Sequence, residues 1–164
     1  MDADWRVLEA IKRLKYRYMR CIDRKLWDEL RDVFVPDATA SYSSGKYAFT
    51  GRDAILGFLT KSMGSPRFLS SHCVHHPEIE LTGPTTAKAN WALEDTVHIL
   101  DAGLTIRGAA LYEDAYVKGG DGQWRIQHTG YSRTWEEMFP RASIAGLKLT
   151  ASLWETGGRS AIDV

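Results

Sequence analysis

The chain has 164 residues, and 21 basic against 21 acidic side chains give it a formal charge of zero. This length fits one domain that buries a core without disulfide or metal crosslinks. The balanced charge argues against a partner such as nucleic acid or an anionic membrane, because proteins that bind these carry a basic surface.

The amino-terminal run and the cysteines predict a soluble protein of the cytoplasm. Charged residues interrupt the run MDADWRVLEAIKRLKYRY, so it lacks the apolar core of a signal peptide. No segment approaches the roughly 20 apolar residues of a membrane span. Cys21 and Cys73 are too few for a secreted disulfide framework and too far apart for a zinc knuckle.

An amphipathic helix is predicted over residues 4–23. Its apolar residues recur at steps of three and four, and arginine and lysine occupy the opposite side. Tyr18 lies on the apolar stripe, and Asp23 lies at its border, one position after Ile22. The helix therefore brings a phenol and an acid next to the predicted core.

A second, shorter helix is predicted over residues 25–34. It ends before Pro36, because the residue that precedes a proline is disfavoured in the helical conformation. The next elements are a strand over residues 37–42, a turn at 43–46 and a third helix over 51–64.

The second half of the chain predicts four long strands separated by turns rich in glycine, proline and aspartate. They cover residues 68–82, 86–100, 104–118 and 123–136. Short turns between long strands indicate antiparallel hairpins rather than parallel crossovers. We therefore expect an α+β domain over residues 1–140, a cone in which a curved antiparallel sheet wraps around the amino-terminal helices. The tail, residues 141–164, is expected to cover a pocket as a flap or to contact another subunit.

Several runs resemble the SnoaL-like branch of the nuclear transport factor 2-like superfamily. These runs are YMRCID at 18–23 with the KLWDEL that follows, SHCVHHPEIEL at 71–81, TTAKANWALED at 85–95 and GQWRI at 122–126. The resemblance covers about residues 5–136 and implies a cone-shaped α+β barrel. The pattern is most similar to the bile acid 7α-dehydratases, and more distantly to scytalone dehydratase and hexachlorocyclohexane dehydrochlorinase.

The resemblance implies roles for three residues. Asp23 matches the acid that orients a histidine, and His72 matches the histidine that removes a carbon-bound proton so that water or chloride departs. Tyr18 matches the tyrosine that polarises the substrate carbonyl in the bile acid enzymes.

Further pocket residues follow from the same resemblance. Tyr42, Tyr112 and Arg133 match substrate-binding tyrosines and an arginine, and His98 lies near the second histidine of scytalone dehydratase. In scytalone dehydratase a tyrosine directly precedes the acid, and Ile22 stands there instead, so the way that enzyme holds water is not carried over.

The chemistry of these side chains fits proton abstraction α to a carbonyl. Imidazole has an unperturbed pKa of about 6.5, which suits a base at neutral pH. A carboxylate on the other ring nitrogen fixes the tautomer and stabilises the imidazolium. A phenol stabilises the charge that develops on the substrate oxygen. The reaction needs no metal and no organic cofactor.

Structural alternatives remain for each candidate. Tyr18 is also typical of an aromatic residue in a core, and Asp23 is typical of a polar residue that ends a helix. Arg133 is equally typical of an arginine that forms a surface ion pair at the end of a strand. His98 shares a strand face with polar residues, so it reaches a pocket only if that face lines the cavity or a bulge intervenes.

The run of histidines is a weak candidate for a metal site. On a strand, His72 and His76 share one face while His75 points away. No carboxylate or thiolate clusters beside them to complete a coordination sphere.

The sequence predicts a dehydratase that acts on a small hydrophobic carbonyl compound, steroid-like or polycyclic, and that forms a homo-oligomer, a dimer or a trimer. A ketosteroid-type isomerase would use the same base and donor. A non-catalytic ligand-binding or assembly module of the same fold is the third interpretation.

Overall fold

The structure is a computed structural model that describes residues 5–162. The helices are α1 (Trp5–Arg24), α2 (Trp27–Arg31) and α3 (Arg52–Met63). The strands are β1 (Phe34–Tyr42), β2 (Tyr47–Thr50), β3 (Phe68–Gly83), β4 (Thr86–Ile99), β5 (Leu104–Lys118) and β6 (Trp124–Pro140). Within this part of the chain, no helix is long and apolar enough to cross a membrane. The outermost residues of the predicted domain and tail, 1–4 and 163–164, lie outside the described residues.

One six-stranded sheet in the order β2-β1-β6-β5-β4-β3 carries the fold, and the helices pack on its concave face. The hairpins β3–β4, β4–β5 and β5–β6 are antiparallel, as the short turns predict. The predicted α+β class, with a curved sheet around amino-terminal helices, is confirmed.

Helix α1 presents its apolar stripe to the sheet, and Ile11, Tyr18 and Ile22 are almost fully buried there. Fully burying a large apolar side chain contributes about 1.5–3 kcal/mol, so the stripe is the main attachment of the helix. Lys15 is buried among these residues, which the periodicity of the sequence does not predict.

The second helix is shorter than predicted. It ends at Arg31, and Phe34 already pairs with Ile126 in a parallel ladder between β1 and β6. Pro36 lies inside β1, where the register shifts between Phe34 and Thr39. A bulge tolerates proline because the ladder there does not need its missing N–H donor. Pairing with a strand distant in sequence thus overrides the local preference for helix.

Two other elements differ from the prediction. Strand β2, which pairs with β1 across the predicted turn at residues 43–46, has no counterpart in the sequence prediction. Strand β6 continues to Pro140 instead of ending at residue 136, because its last residues pair with the start of β5.

The tail beyond the 3-10 turn Arg141–Ser143 contains no helix or strand in residues 144–162. Trp154 stacks against the ammonium of Lys25 at 4.4 Å from the ring centroid, and Glu155 forms an ion pair with Arg67 at 2.9 Å. These contacts fasten the tail near the end of α1. Its role as a flap or as a subunit contact stays a prediction.

Candidate active site

Asp23 and His72, on α1 and β3, meet at the wall of the cone. Oδ1 of Asp23 lies 2.6 Å from Nδ1 of His72, and Oδ2 accepts a hydrogen bond from the His72 backbone N–H at 2.9 Å. The hydroxyl of Ser70 donates to Oδ1 at 2.8 Å. The His72 side chain is 8% exposed and that of Asp23 is 22% exposed. Three hydrogen bonds therefore hold the carboxylate against one edge of the imidazole.

This contact selects one form of the histidine. An ionised carboxylate only accepts hydrogen bonds, so Nδ1 of His72 carries the proton that faces Asp23. In the neutral imidazole the lone pair is then on Nε2. His72 lines a cavity, so the arrangement presents an oriented base to its contents.

The end of α1 is built to place Asp23 against β3. Lys25, two residues later, has a left-handed backbone with φ of 56°. Its ammonium donates to the carbonyls of Met63 and Phe68, both at 2.8 Å. A non-glycine residue in this conformation costs about 1–2 kcal/mol, which these two hydrogen bonds help to offset.

A cavity of about 430 Å³ lies between the helices and the concave face of the sheet. This volume is within the range of roughly 300–1,000 Å³ that is usual for small-molecule sites. Aromatic side chains form much of its wall, namely Tyr18, Tyr42, Tyr47, Phe58, Phe68, Tyr112 and Tyr131. Polar side chains also line it, namely Ser43, Lys46, Ser62, His72, Asp95, Arg133 and Glu136. The site is an aromatic chamber with the base in its wall.

Tyrosine hydroxyls supply hydrogen-bond donors inside this chamber. The hydroxyls of Tyr18 and Tyr42 are 3.0 Å apart, and the ring of Tyr112 lies edge-on to that of Tyr18 at 6.5 Å. Burial raises the pKa of all three phenols well above the ordinary value. They are therefore neutral donors at physiological pH. One of the hydroxyls of Tyr18 and Tyr42 accepts a hydrogen bond from the other. The accepting hydroxyl keeps its own proton free to donate to a ligand oxygen.

Asp95 is a site residue that the sequence prediction missed. It is the cross-strand partner of His72 between β3 and β4, so both side chains are on the cavity face. The guanidinium of Arg133 grips it with two hydrogen bonds, Nη1 to Oδ1 at 2.5 Å and Nη2 to Oδ2 at 2.8 Å. An acid on the otherwise apolar face of β4, between Leu93 and Val97, was the signal in the sequence.

Arg133 lines the cavity, as predicted for a pocket residue, but its terminal nitrogens are occupied by Asp95. Burial acts to lower the pKa of Arg133, but the hydrogen bonds and charge of Asp95 outweigh it and raise the pKa. The guanidinium is permanently charged and fixed in orientation.

His98 does not line the cavity. Leu93, Asp95 and Val97 face the cavity from β4, and His98 lies on the opposite face. Its Nδ1 is 2.9 Å from Oγ1 of Thr105 and 3.0 Å from Nη1 of Arg141. Burial, with a smaller contribution from Arg141, lowers the pKa of His98. The structure therefore brings together all the predicted site residues except this one.

The other histidines of β3 do not join the site. A bulge separates His75 from Glu78, and His76 within it has a left-handed backbone with φ of 47°. Across residues 5–162, no group of three or more His, Cys, Asp or Glu side chains is arranged to hold a metal ion.

The outer face of the sheet carries a larger open groove of about 630 Å³. Charged and polar side chains, including Glu78, Lys88 and His128, line it. None of the predicted site residues borders this groove, so the smaller aromatic chamber is the candidate active site.

Residues 5–130 match the sequence model of the family described as the SnoaL-like domain. The chain belongs to the SnoaL-like family. A scytalone dehydratase candidate from Novosphingobium aromaticivorans is among the solved structures similar to this SnoaL-like protein. The two chains are 25% identical with a TM-score of 0.76, and the match covers 83% of this chain and 89% of the other.

Two more distant structures have the same fold. Hexachlorocyclohexane dehydrochlorinase LinA-type3 from Novosphingobium barchaimii is 16% identical, with a TM-score of 0.71 and coverage of 88% of this chain and 94% of its own. ActVI-ORFA from Streptomyces coelicolor is 15% identical, with a TM-score of 0.67 and coverage of 78% and 97%. The predicted SnoaL-like membership is confirmed, whereas the finer similarity to bile acid dehydratases stays a prediction.

Proposed function

We propose that this SnoaL-like protein is a cofactor-independent lyase that dehydrates a hydrophobic β-hydroxy carbonyl compound. The observation that carries the proposal is the contact of 2.6 Å between Asp23 and Nδ1 of His72 at the wall of an aromatic cavity. A base oriented in this way, facing phenolic donors, has the parts that an elimination through an enolate requires.

The first step transfers the α-proton of the substrate to Nε2 of His72. The electron pair of the C–H bond moves into the carbonyl group and forms an enolate, whose oxygen accepts a hydrogen bond from Tyr18. Asp23 stabilises the imidazolium that forms on His72. A positioned general base of this kind contributes about 10²–10⁴-fold to the rate.

The second step breaks the bond between the β-carbon and the hydroxyl oxygen. The enolate electrons form the new carbon–carbon double bond, and the imidazolium of His72 returns its proton to the departing hydroxyl. The products are an α,β-unsaturated carbonyl compound and water, and His72 is again neutral. Asp95, beside His72 on the cavity face, accepts a hydrogen bond from the departing hydroxyl in this scheme.

The shape of the chamber supports a flat, apolar substrate. Aromatic walls such as Tyr42, Phe58 and Tyr131 favour fused rings, whether steroid-like or polycyclic, through stacking and the burial of apolar surface. The names of two related structures also describe eliminations, a dehydratase and a dehydrochlorinase.

A mass measurement separates dehydration from the alternative functions. The purified chain is incubated with a panel of β-hydroxy ketones on fused-ring skeletons, and products are analysed by mass spectrometry. A dehydratase lowers the substrate mass by one water. An isomerase of the ketosteroid type conserves mass while it moves a double bond, so conserved mass with a shifted double bond would replace the proposal with that function. No change in any member of the panel would favour a non-catalytic binding module.

The variant His72→Ala tests the base. We expect its activity to fall by about 10²–10⁴-fold, because His72 is the histidine that lines the cavity with its Nδ1 held by a carboxylate. The matched control is His75→Ala, since His75 lies on the same strand but is exposed outside the cavity. Equal turnover by His72→Ala and the wild-type chain would refute the mechanism.

A further inference from the structure

Lys15 is a fully buried lysine that lies behind the tyrosines of the cavity. It belongs to α1, one turn before Tyr18, and its side chain is 0% exposed. Its Nζ lies 3.4 Å from the ring centroid of Tyr112 and 4.9 Å from that of Tyr18. Both of these tyrosines line the cavity, whereas Lys15 does not.

Asp114 on β5 balances the charge of this lysine. Its Oδ2 lies 2.8 Å from Nζ of Lys15. Thr129 donates to Oδ1 at 2.7 Å and Tyr116 donates to Oδ2 at 2.6 Å. The Lys15 side chain and two hydroxyl donors therefore converge on the Asp114 side chain, which is the geometry of a hydrogen-bonded buried ion pair. Burial lowers the pKa of Lys15, and the charge of Asp114 acts against that shift.

Stability does not explain why the core contains this pair. Removing two charges from water costs several kcal/mol for each ion, and well-packed apolar residues commonly serve a core as well or better. The pair is placed where the ammonium, rather than the carboxylate, touches the faces of two cavity tyrosines. This placement indicates a role in the cavity.

We propose that Lys15 is a positioning residue that acts through Tyr18 and Tyr112 to favour negative charge on an oxygen bound in the cavity. The face of a phenol ring is electron-rich, and a cation over it is attracted to that charge. When the phenol donates a hydrogen bond to an oxyanion, its ring gains electron density and the attraction to Lys15 increases. The inference rests on the proposed function, because an enolate oxygen is the group that would use this effect.

The other charged groups around the tyrosines set the sign of the expected effect. The carboxylate of Asp114 acts against negative charge in the cavity and raises the pKa of Tyr18 and Tyr112, as burial does more strongly. His72, Asp95, Arg133 and Glu136 face the same cavity from the sheet, and Lys46 faces it from the turn between β1 and β2. These five residues are unchanged in the variants below, so any difference reports on Lys15 and Asp114.

The test uses 6-cyano-2-naphthol, a fused-ring phenol whose neutral and anionic forms absorb at different wavelengths. Its pKa is measured while bound to the wild-type chain and to the double variant Lys15→Met/Asp114→Asn. The double variant removes both charges of the pair, so it avoids the unpaired buried carboxylate that Lys15→Met alone would leave. Circular dichroism and the thermal midpoint show that each protein is folded. The matched control is Lys12→Met on the same helix, because Lys12 is partly exposed and pairs with Glu9.

We expect the double variant to bind the naphtholate about tenfold more weakly than the wild-type chain, with a higher pKa of the bound probe, while Lys12→Met matches the wild type. An unchanged or lower pKa in the folded double variant would overturn the inference, because Asp114 would then dominate. Failure of the wild-type chain to bind the anionic probe would overturn it as well. The probe undergoes no elimination, so loss of the proposed dehydratase function would leave this result interpretable by itself.

Discussion

The substitution Asp23→Asn separates orientation of the base from the base itself. Asparagine keeps the shape of the side chain but replaces one oxygen with an amide NH2 group, which donates hydrogen bonds. If the NH2 group faces Nδ1 of His72, the ring must accept there, and its proton moves to Nε2, where the base is needed. If the NH2 group faces the backbone N–H of His72 instead, two donors oppose each other at the present separation of 2.9 Å.

Both arrangements weaken catalysis far more than folding. We expect the turnover of Asp23→Asn to fall by about 10²–10⁴-fold, which corresponds to roughly 3–5 kcal/mol of transition-state stabilisation. One opposed or missing hydrogen bond costs about 1–3 kcal/mol of folding free energy, so the variant still folds. The activity loss should therefore exceed any effect of the change in stability.

Two assays report this loss. The first is the rate of water elimination, and the second is exchange of the substrate α-proton in D2O, followed by NMR, which needs the base but not the leaving group. The matched control is Asp37→Asn, an exposed aspartate on β1. If Asp23→Asn stays within about threefold of the wild type in both assays while His72→Ala is inactive, Asp23 does not orient the base.

Three further outcomes follow from the buried polar groups. Tyr18→Phe should lower turnover by about 10–10³-fold, because an oxyanion donor is lost, with little loss of stability; an unchanged rate would assign the donor to another phenol. Arg133→Met should lower the free energy of unfolding in urea by about 3–5 kcal/mol, because Asp95 is left unpaired. The double variant Arg133→Met/Asp95→Asn should recover most of that loss, and no recovery would contradict the pairing. The free energy of unfolding should fall above about pH 10. Burial raises the folded-state pKa of four phenols, those of Tyr18, Tyr42, Tyr112 and Tyr116, above their unfolded values. Their contribution to stability is therefore complete below the unfolded pKa and is lost as pH rises through the folded pKa. The lowered pKa of Lys15 has the opposite effect on stability, but it is one group against four phenols. A free energy of unfolding that stays constant from pH 8 to 11 would contradict the expectation.

The sequence predicts those elements whose signal is local. The period of α1 and the turns between β3 and β6 are visible in short windows, and the structure has them within a few residues of their predicted ends. The parallel pairing of β1 with β6 joins segments that are far apart in the chain, and no local pattern encodes it. For the same reason the end of the second helix was misplaced at Phe34.

The candidate site shows a similar division. Asp23 and His72 were predicted from motif resemblance, but their contact depends on the register of β3 beside α1. Asp95 was readable as an acid on the apolar face of a strand, although the strand face that lines the cavity was known only from the structure. Lys15 had no such signal, since its partner Asp114 lies on a strand distant in the sequence.

The buried charges of this domain are concentrated at the cavity. Among the described residues, the charged side chains classed as buried are Lys15, Asp95 and Asp114. Asp95 lines the chamber, and the other two lie directly behind its tyrosines. Each of these groups costs free energy to desolvate, and the cost is recovered only in part by its partner. A domain that needed only to fold would place apolar residues at these positions. Their location in the wall of the chamber or directly behind it supports charge chemistry there, beyond the apolar binding that the aromatic walls alone would provide.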